Sequence, residues 1–308
     1  MVTNGQKAIL GGLGLCVVAA ALLALFVKKP GDETVSIPLP DGEIRGEAVD
    51  DVPLTEDLEL RFQQAGFDWE AVVSGKSDVP ALFIDDLPAD LGDLVEVDRR
   101  KAVFFRIMLP LVLRANADIA ADRARIEALA DDLSGLEDDD MDWLADLMVR
   151  YRVDLDDQAK ANLLRRVDII PPSLALAQAA EESGWGTSRF AQEGNALFGQ
   201  WTTTGPGLVP EDREEGKTHK VRAFETLYQS VRAYGDNLNR HKAYRNLRKA
   251  RFDLRARGAA VTGLELAKTL TRYSERGKAY VKSLSSLIRS NDLDKIDGVQ
   301  FRRGRAGS

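Results

Sequence analysis

A chain of 308 residues has room for one core of about 150–200 residues with an appendage, or for two modest domains. At 44% apolar and 30% charged residues its composition is globular, and a formal charge of −7 disfavours a general nucleic-acid binder, which needs a basic footprint. Cys16 is the single cysteine, so no intrachain disulfide forms and stability must come from packing.

The first feature in chain order is the run 8–27, AILGGLGLCVVAAALLALFV, with no charged residue. At about 1.5 Å per residue, a helix of that length crosses the roughly 30 Å hydrocarbon core of a bilayer. No small-x-small cleavage site precedes Lys28-Lys29 and the run is longer than a usual signal core, so residues 1–29 are expected to form an uncleaved transmembrane anchor. Lys7 before it and the two lysines after it do not set its orientation.

Residues 30–94 open with PGDETVSIPLPDGEIRGEAVDDVP and read as a tether, acidic and largely irregular. Helical periodicity begins near Val95 and predicts an accessory helical segment over 95–158, with Pro110 kinking or dividing it. The run Glu137-Asp138-Asp139-Asp140 reads as a solvated helix start or loop in preference to a metal site. A further amphipathic helix is predicted over 156–167. After Pro171-Pro172 the segment SLALAQAAEES predicts an Ala-rich helix, ended by Gly184 and Gly186. The Gly-, Thr- and Pro-rich stretch that follows is placed as a small loop or β lobe near 200–222. From Thr226 the pattern is helical again, and residues 297–308 read as a basic, disordered tail. His219 and His241 are too few and too poorly spaced for a zinc site, and no metal or cofactor is expected.

The helix 173–183 is where chemistry is expected. Glu182 shares a face with Gln178, Ala179 and Ala175, and Trp185 lies one turn on; Gln178 and Trp185 are therefore expected to face substrate. A carboxyl at a helix C-terminus, among small residues that imply close packing, has its pKa raised by dipole and desolvation, as a general acid requires. Glu181 is turned about 100° away. Periodicity alone does not choose between the two acids, and a pair of solvated helix-end carboxylates is the competing reading.

The segment AQAAEESGWGTSRFAQEGNALFGQW resembles the signature of the family 73 glycoside hydrolases, the N-acetylglucosaminidases of flagellar-rod and autolysin type. Together with KVRAFETLYQSVRAYGDNLNRHKAYRNLR and RYSERGKAYV, in order and spacing, it is similar to the Bax-type proteins of that family. The similarity runs from Leu164 to Asp292 and more weakly back to Val95. It implies a mainly α (α+β, lysozyme-like) fold, with a helical glucosaminidase domain over 159–296 carrying the small lobe. It also implies hydrolysis of the β-1,4 bond following N-acetylglucosamine in peptidoglycan. On this register Glu182 falls on the catalytic acid and Glu181 on a position that is commonly apolar. The resemblance further implies that Asn195, Phe198 and Gly199 shape the glycan groove. Tyr273 and Tyr280 match paired tyrosines near the saccharide, Tyr273 being the one to stabilise developing charge. A second carboxylate is implied in the small lobe, where Glu211, Asp212, Glu214 and Glu215 are local and Glu214 and Glu215 are the candidates. Bax-type chains often carry a cysteine pair after F-G-Q-W; here Trp201-Thr202-Thr203-Thr204-Gly205 leaves the loop without a staple.

The implied partners are peptidoglycan glycan strands and, through residues 8–27, the inner membrane, with the catalytic domain in the periplasm and no nucleic acid bound. Basic residues crowd 217–257, interspersed with Tyr234, Tyr244 and Phe252; they read as a solvated helical face or as a rim attracting polyanionic wall polymer. A wall-binding scaffold with little or no turnover is the alternative from another class.

Overall fold

The computed structural model describes residues 33–39, 42–49, 54–130, 133, 136–211, 213 and 216–303. The expected anchor over 8–27 lies outside them, and among the described residues no helix is long and apolar enough to cross a membrane.

The segment read as a tether is folded. Strands β1 (Glu33–Leu39) and β2 (Gly42–Val49) pair antiparallel, with Leu39 opposite Gly42, and β3 (Leu82–Ile84) adds parallel to β2. Helices α1 (Thr55–Gln64) and α2 (Trp69–Val73) lie between the strands in sequence. The tether expectation failed because the acids are the outward half of an alternating pattern. Glu43, Arg45 and Glu47 are exposed, whereas Gly46 and Ile37, on the opposite face, are buried. Leu58, Phe62 and Phe83 complete the burial, and Trp69 stacks on Phe105 at 5.1 Å.

Helix α3 (Val97–Ala128) runs through Pro110 without interruption, so the proline does not divide it. Its first half buries Val103, Phe104, Phe105, Ile107 and Met108 in the main core. Its far end, through Ile119 and Ile126, forms a second core with α4 (Asp138–Tyr151) and α5 (Ala159–Arg166). The acidic run is the first turn of α4, where carboxylates suit the positive end of the dipole.

Helix α6 (Pro172–Ser183) is the centre of the molecule, with every residue from Pro172 to Ala180 buried. It touches α3, α10 (Gly263–Ala267) and α11 (Lys278–Ser290). The 3-10 turn Leu293–Ile296 also packs on it. Small side chains permit this close approach. A Cβ on Gly263 would lie 2.1 Å from the Ser173 hydroxyl and 2.7 Å from the Leu174 nitrogen. Asp297 closes the start of α6, accepting from the Ser173 amide and hydroxyl and from the Gly263 amide, each at 2.9 Å.

After α6 come α7 (Arg189–Gly194) and the predicted small lobe, a sheet of β4 (Trp201–Thr202), β5 (Gly207–Leu208) and β6 (Lys220–Arg222) in the order β4-β6-β5. Helices α8 (Leu227–Arg240) and α9 (Arg245–Ala256) follow, joined by the 3-10 turn Lys242–Tyr244. The loop before α6 is tied to α9 by Asp168, which Arg255 grips with two 2.6 Å bonds. Burial pushes the Asp168 carboxyl up, but Arg251, Arg255 and Arg123 outweigh it and hold the pKa below the usual range. Residues 297–303, expected to be disordered, are held instead. Phe301 is buried beside Phe83 and bridges to Val79, and Arg302 donates to the Ala65 and Gly66 carbonyls.

The contact at Gly263 makes a direct test of this packing. Gly263→Ala is expected to cost about 1–3 kcal/mol through overpacking against the α6 backbone, read as a lower Tm or denaturant midpoint.

Candidate active site

Glu182 and Glu181, which periodicity left equivalent, have different surroundings. Glu181 accepts from Arg276 at 2.7 Å and from the Ser283 hydroxyl at 3.0 Å, an ion pair on the α11 side of the helix. Glu182 faces an open cleft of about 760 Å³, whose walls include Phe198, Gly199, Trp201, Tyr244 and Tyr273. Gly199 has φ +59 and leaves room beside the carboxylate; a Cβ there would approach Glu182 Oε2 to 3.7 Å.

One oxygen of Glu182 is held from below. The Tyr280 hydroxyl donates to Oε1 at 2.7 Å and accepts from Gln178 Nε2 at 2.9 Å; Gln178 Oε1 accepts from the Tyr234 hydroxyl at 2.7 Å. All three supporting side chains are buried. Gln178 and Tyr280 are therefore not substrate-facing, which corrects both expectations. Gln178 is enclosed because the α6 face it shares with Ala175 and Ala179 packs against neighbouring helices. Tyr280 starts α11 beneath the carboxylate.

Burial raises the Glu182 pKa above the usual carboxyl value, the Tyr280 bond lowers it, the neighbouring Glu181 charge raises it and Arg276 lowers it. Desolvation wins, and the net shift is upward. With Oε1 accepting from Tyr280, Oε2 is the oxygen left facing the Gly199 side of the cleft.

Tyr273 walls the cleft. Its ring stacks on Tyr280 with centroids 5.4 Å apart and planes at 5°, and its hydroxyl donates to the Phe198 carbonyl at 3.3 Å. Burial, with Tyr280 and Glu182 nearby, raises its pKa well above that of an ordinary phenol, so it is a neutral donor. Phe198 stacks on Tyr234 at 4.0 Å and joins the cleft to the buried relay.

Two expected substrate contacts lie elsewhere. Gly184, Trp185 and Gly186 all have positive φ and reverse the chain at the end of α6, carrying the Trp185 indole away from the cleft. It packs against Phe104 and Phe105, with Lys101 Nζ 5.3 Å from its ring centroid. Asn195 caps α7 in the left-handed region, and its amide donates to Asp86 at 2.8 Å and to the Phe224 and Glu225 carbonyls. It therefore braces the lobe. Glu214 and Glu215 lie outside the described residues. Glu211 is exposed and pairs with Arg189 at 3.6 Å.

The cleft also contains residues not expected to line it: Arg222, Asn237, Arg240, Glu275 and His241, which was weighed above only as a metal ligand. The basic character of 217–257 was the available signal for the two arginines. Glu275 sits inside the block RYSERGKAYV, where only the two tyrosines were singled out, and its turn gives it no periodic face. Among the described residues, no group of three or more His, Cys, Asp or Glu side chains gathers where a metal would sit.

Residues 158–293 match the Glucosaminidase family, described as mannosyl-glycoprotein endo-beta-N-acetylglucosaminidase. The chain is 34% identical to Protein bax of Escherichia coli (strain K12) over 203 residues, 62% of this chain and 70% of that one. It is 28% identical over 137 residues to Exo-glucosaminidase LytG of Bacillus subtilis (strain 168), covering 42% of this chain and less than half, 46%, of that one. The catalytic domain of the autolysin Auto from Listeria monocytogenes aligns over 58% of this chain at 21% identity and a TM-score of 0.34, a likeness too slight to carry an argument.

The raised Glu182 pKa has a consequence for stability. An unfolded glutamate loses its proton near pH about 4.3; the folded one holds it to higher pH, so native stability falls as pH rises through that interval. Glu182→Gln keeps the acceptor for Tyr280 and removes the titration. Its Tm is expected to exceed that of the wild type at pH 8, with the difference shrinking at pH 4, as scanning calorimetry would show.

Proposed function

Since the chain belongs to the glucosaminidase family, as a Bax-type member of the family 73 glycoside hydrolases, we propose that it hydrolyses peptidoglycan at the β-1,4 bond following N-acetylglucosamine. The observation that carries the reading is Glu182. It is a carboxyl with a raised pKa at the edge of a cleft, with one oxygen fixed by Tyr280 and the other presented to the opening.

In this mechanism Glu182 protonates the glycosidic oxygen as the bond to the anomeric carbon breaks. Tyr280 keeps its hydrogen bond as the carboxylate forms, which stabilises the charge left on Glu182. Tyr273 stands over Tyr280 on the cleft wall, where its neutral side chain bears on the sugar and limits water around the acid. Attack on the anomeric carbon comes from water, directly or after participation of the acetamido oxygen; the anomeric form of the product separates the two courses. Glu275 is the further carboxylate among the described cleft residues. Arg222 and Arg240 attract a polyanionic strand to the groove. On this reading residues 8–27 hold the chain at the inner membrane with the cleft in the periplasm, where the polymer lies.

Reducing-end release from purified peptidoglycan tests the assignment. Glu182→Gln is expected to lose activity by about 10²–10⁴-fold, the usual range for an acid catalyst, while Glu181→Gln keeps it within the same order of magnitude. The opposite ranking overturns the choice of acid. Equal binding with no release by the wild type favours the scaffold reading.

Tyr280→Phe removes the donor that lowers the Glu182 pKa. Its kcat is expected to fall by about tenfold, the equivalent of one hydrogen bond. The alkaline limb of its pH profile should move to higher pH. A fall in kcat with an unmoved limb would mean that Tyr280 acts by packing alone.

A further inference from the structure

A second cavity, of about 460 Å³, adjoins the turn Lys242–Tyr244. His241 and Tyr244 line the active-site cleft, whereas Arg245 and Arg248, next along the chain, line this one. Arg165 and Arg166 enter it from α5, and Lys249 and Phe252 from α9. Asp253, the acid in its wall, is paired with Lys249 at 2.6 Å. Among the described residues, Arg165, Arg166, Arg245 and Arg248 form no ion pair with a carboxylate.

A run of basic residues on a solvated face would spread apart, but Arg248 and Arg166 are held in place by backbone carbonyls. Arg248 is buried, and its Nη1 donates to the Leu238 and His241 carbonyls, both at 2.9 Å. Arg166 donates to the Tyr151 and Arg152 carbonyls at 2.6 and 3.0 Å. Burial lowers the Arg248 pKa to about 10, helped by the like charges of Arg166, Arg251 and Arg245, so this is a concentrated positive field without its counter-charge. Helix α9 begins at Arg245 with no side-chain cap and no acid in its first turn, adding the positive end of its dipole. Phe252 is 41% exposed, and the Arg165 guanidinium lies over its ring at 5.2 Å.

We propose that this cavity binds the carboxylates of the peptide stem borne by the glycan strand in the adjacent cleft, so that the protein selects stem-bearing glycan over bare glycan. The proposal rests on the reading of peptidoglycan as substrate. Guanidiniums suit carboxylates in bidentate geometry, and Phe252 offers an apolar platform for the peptide's aliphatic groups, which a phosphate polymer would not use.

The test uses the full chain in detergent and the double variant Arg165→Gln/Arg245→Gln, two exposed side chains that do not line the Glu182 cleft. Titration calorimetry would compare a free synthetic stem peptide, its fully amidated counterpart and inorganic phosphate. The acidic peptide is expected to bind the wild type, the amidated peptide not, and the variant to bind at least about tenfold more weakly, the loss of one charge-assisted contact. Equal or absent peptide binding in both proteins overturns the proposal, as does phosphate binding in place of peptide. This readout needs no turnover, so it stands if hydrolysis fails. On strands, KM for stem-bearing glycan should rise in the variant, with kcat and the KM for stem-free glycan unchanged. An unchanged KM for stem-bearing glycan overturns the proposed selection.

Discussion

The closeness with which other elements approach Pro172–Ser183 governs the architecture. A helix buried along nearly its whole length must satisfy its ends from outside and keep its side chains small where neighbours cross. Alanine and serine meet the second demand, and glycine at position 263 extends it to the facing backbone. Asp297 meets the first, binding helix and neighbour with one carboxylate. A helix fixed in this way delivers its last turn, and Glu182 with it, to a defined place at the cleft floor.

The groups around Glu182 are chosen for what they lack. Asp168 is a buried carboxylate too, and there three arginines hold the proton off against the desolvation. Glu182 is supported by neutral hydroxyl and amide groups, and its nearest guanidinium, Arg276, is bound to Glu181. The two carboxylates consequently shift in opposite directions, although burial acts on both alike. Tyrosine and glutamine give orientation without the positive charge that would draw the carboxyl's pKa down. Glu181 thus acts by keeping Arg276 occupied.

Much of this was legible in the residues themselves. The Ala-rich helix and its glycine stop, the lobe near 200–222 and the helices after Thr226 follow from periodicity and turn chemistry. The resemblance to known glucosaminidases chose Glu182 over Glu181; the structure sets Glu182 at a cleft and Glu181 in an ion pair with Arg276. Three kinds of information were not local. The second of the strands at 33–49 carries its acids on one side only, and composition averages over the two sides. Trp185 and Asn195 owe their direction to left-handed backbone, which a helical wheel continued past Gly184 does not represent. Gln178 and Tyr280 are 102 positions apart, and nothing in either segment announces that they share a hydrogen bond.

The clasp at Asp297 and Phe301 also bears on where this protein can be divided. The span matched by the family, residues 158–293, stops short of the carboxylate that starts its central helix. It also leaves out Phe104 and Phe105, against which Trp185 packs at that helix's other end. The stretch that is recognisable as a glucosaminidase is therefore smaller than the stretch that can stand as one. The central helix depends at both ends on residues outside the family match, and a fragment excised at those borders would carry Glu182, Tyr273 and Tyr280 without the walls that aim them.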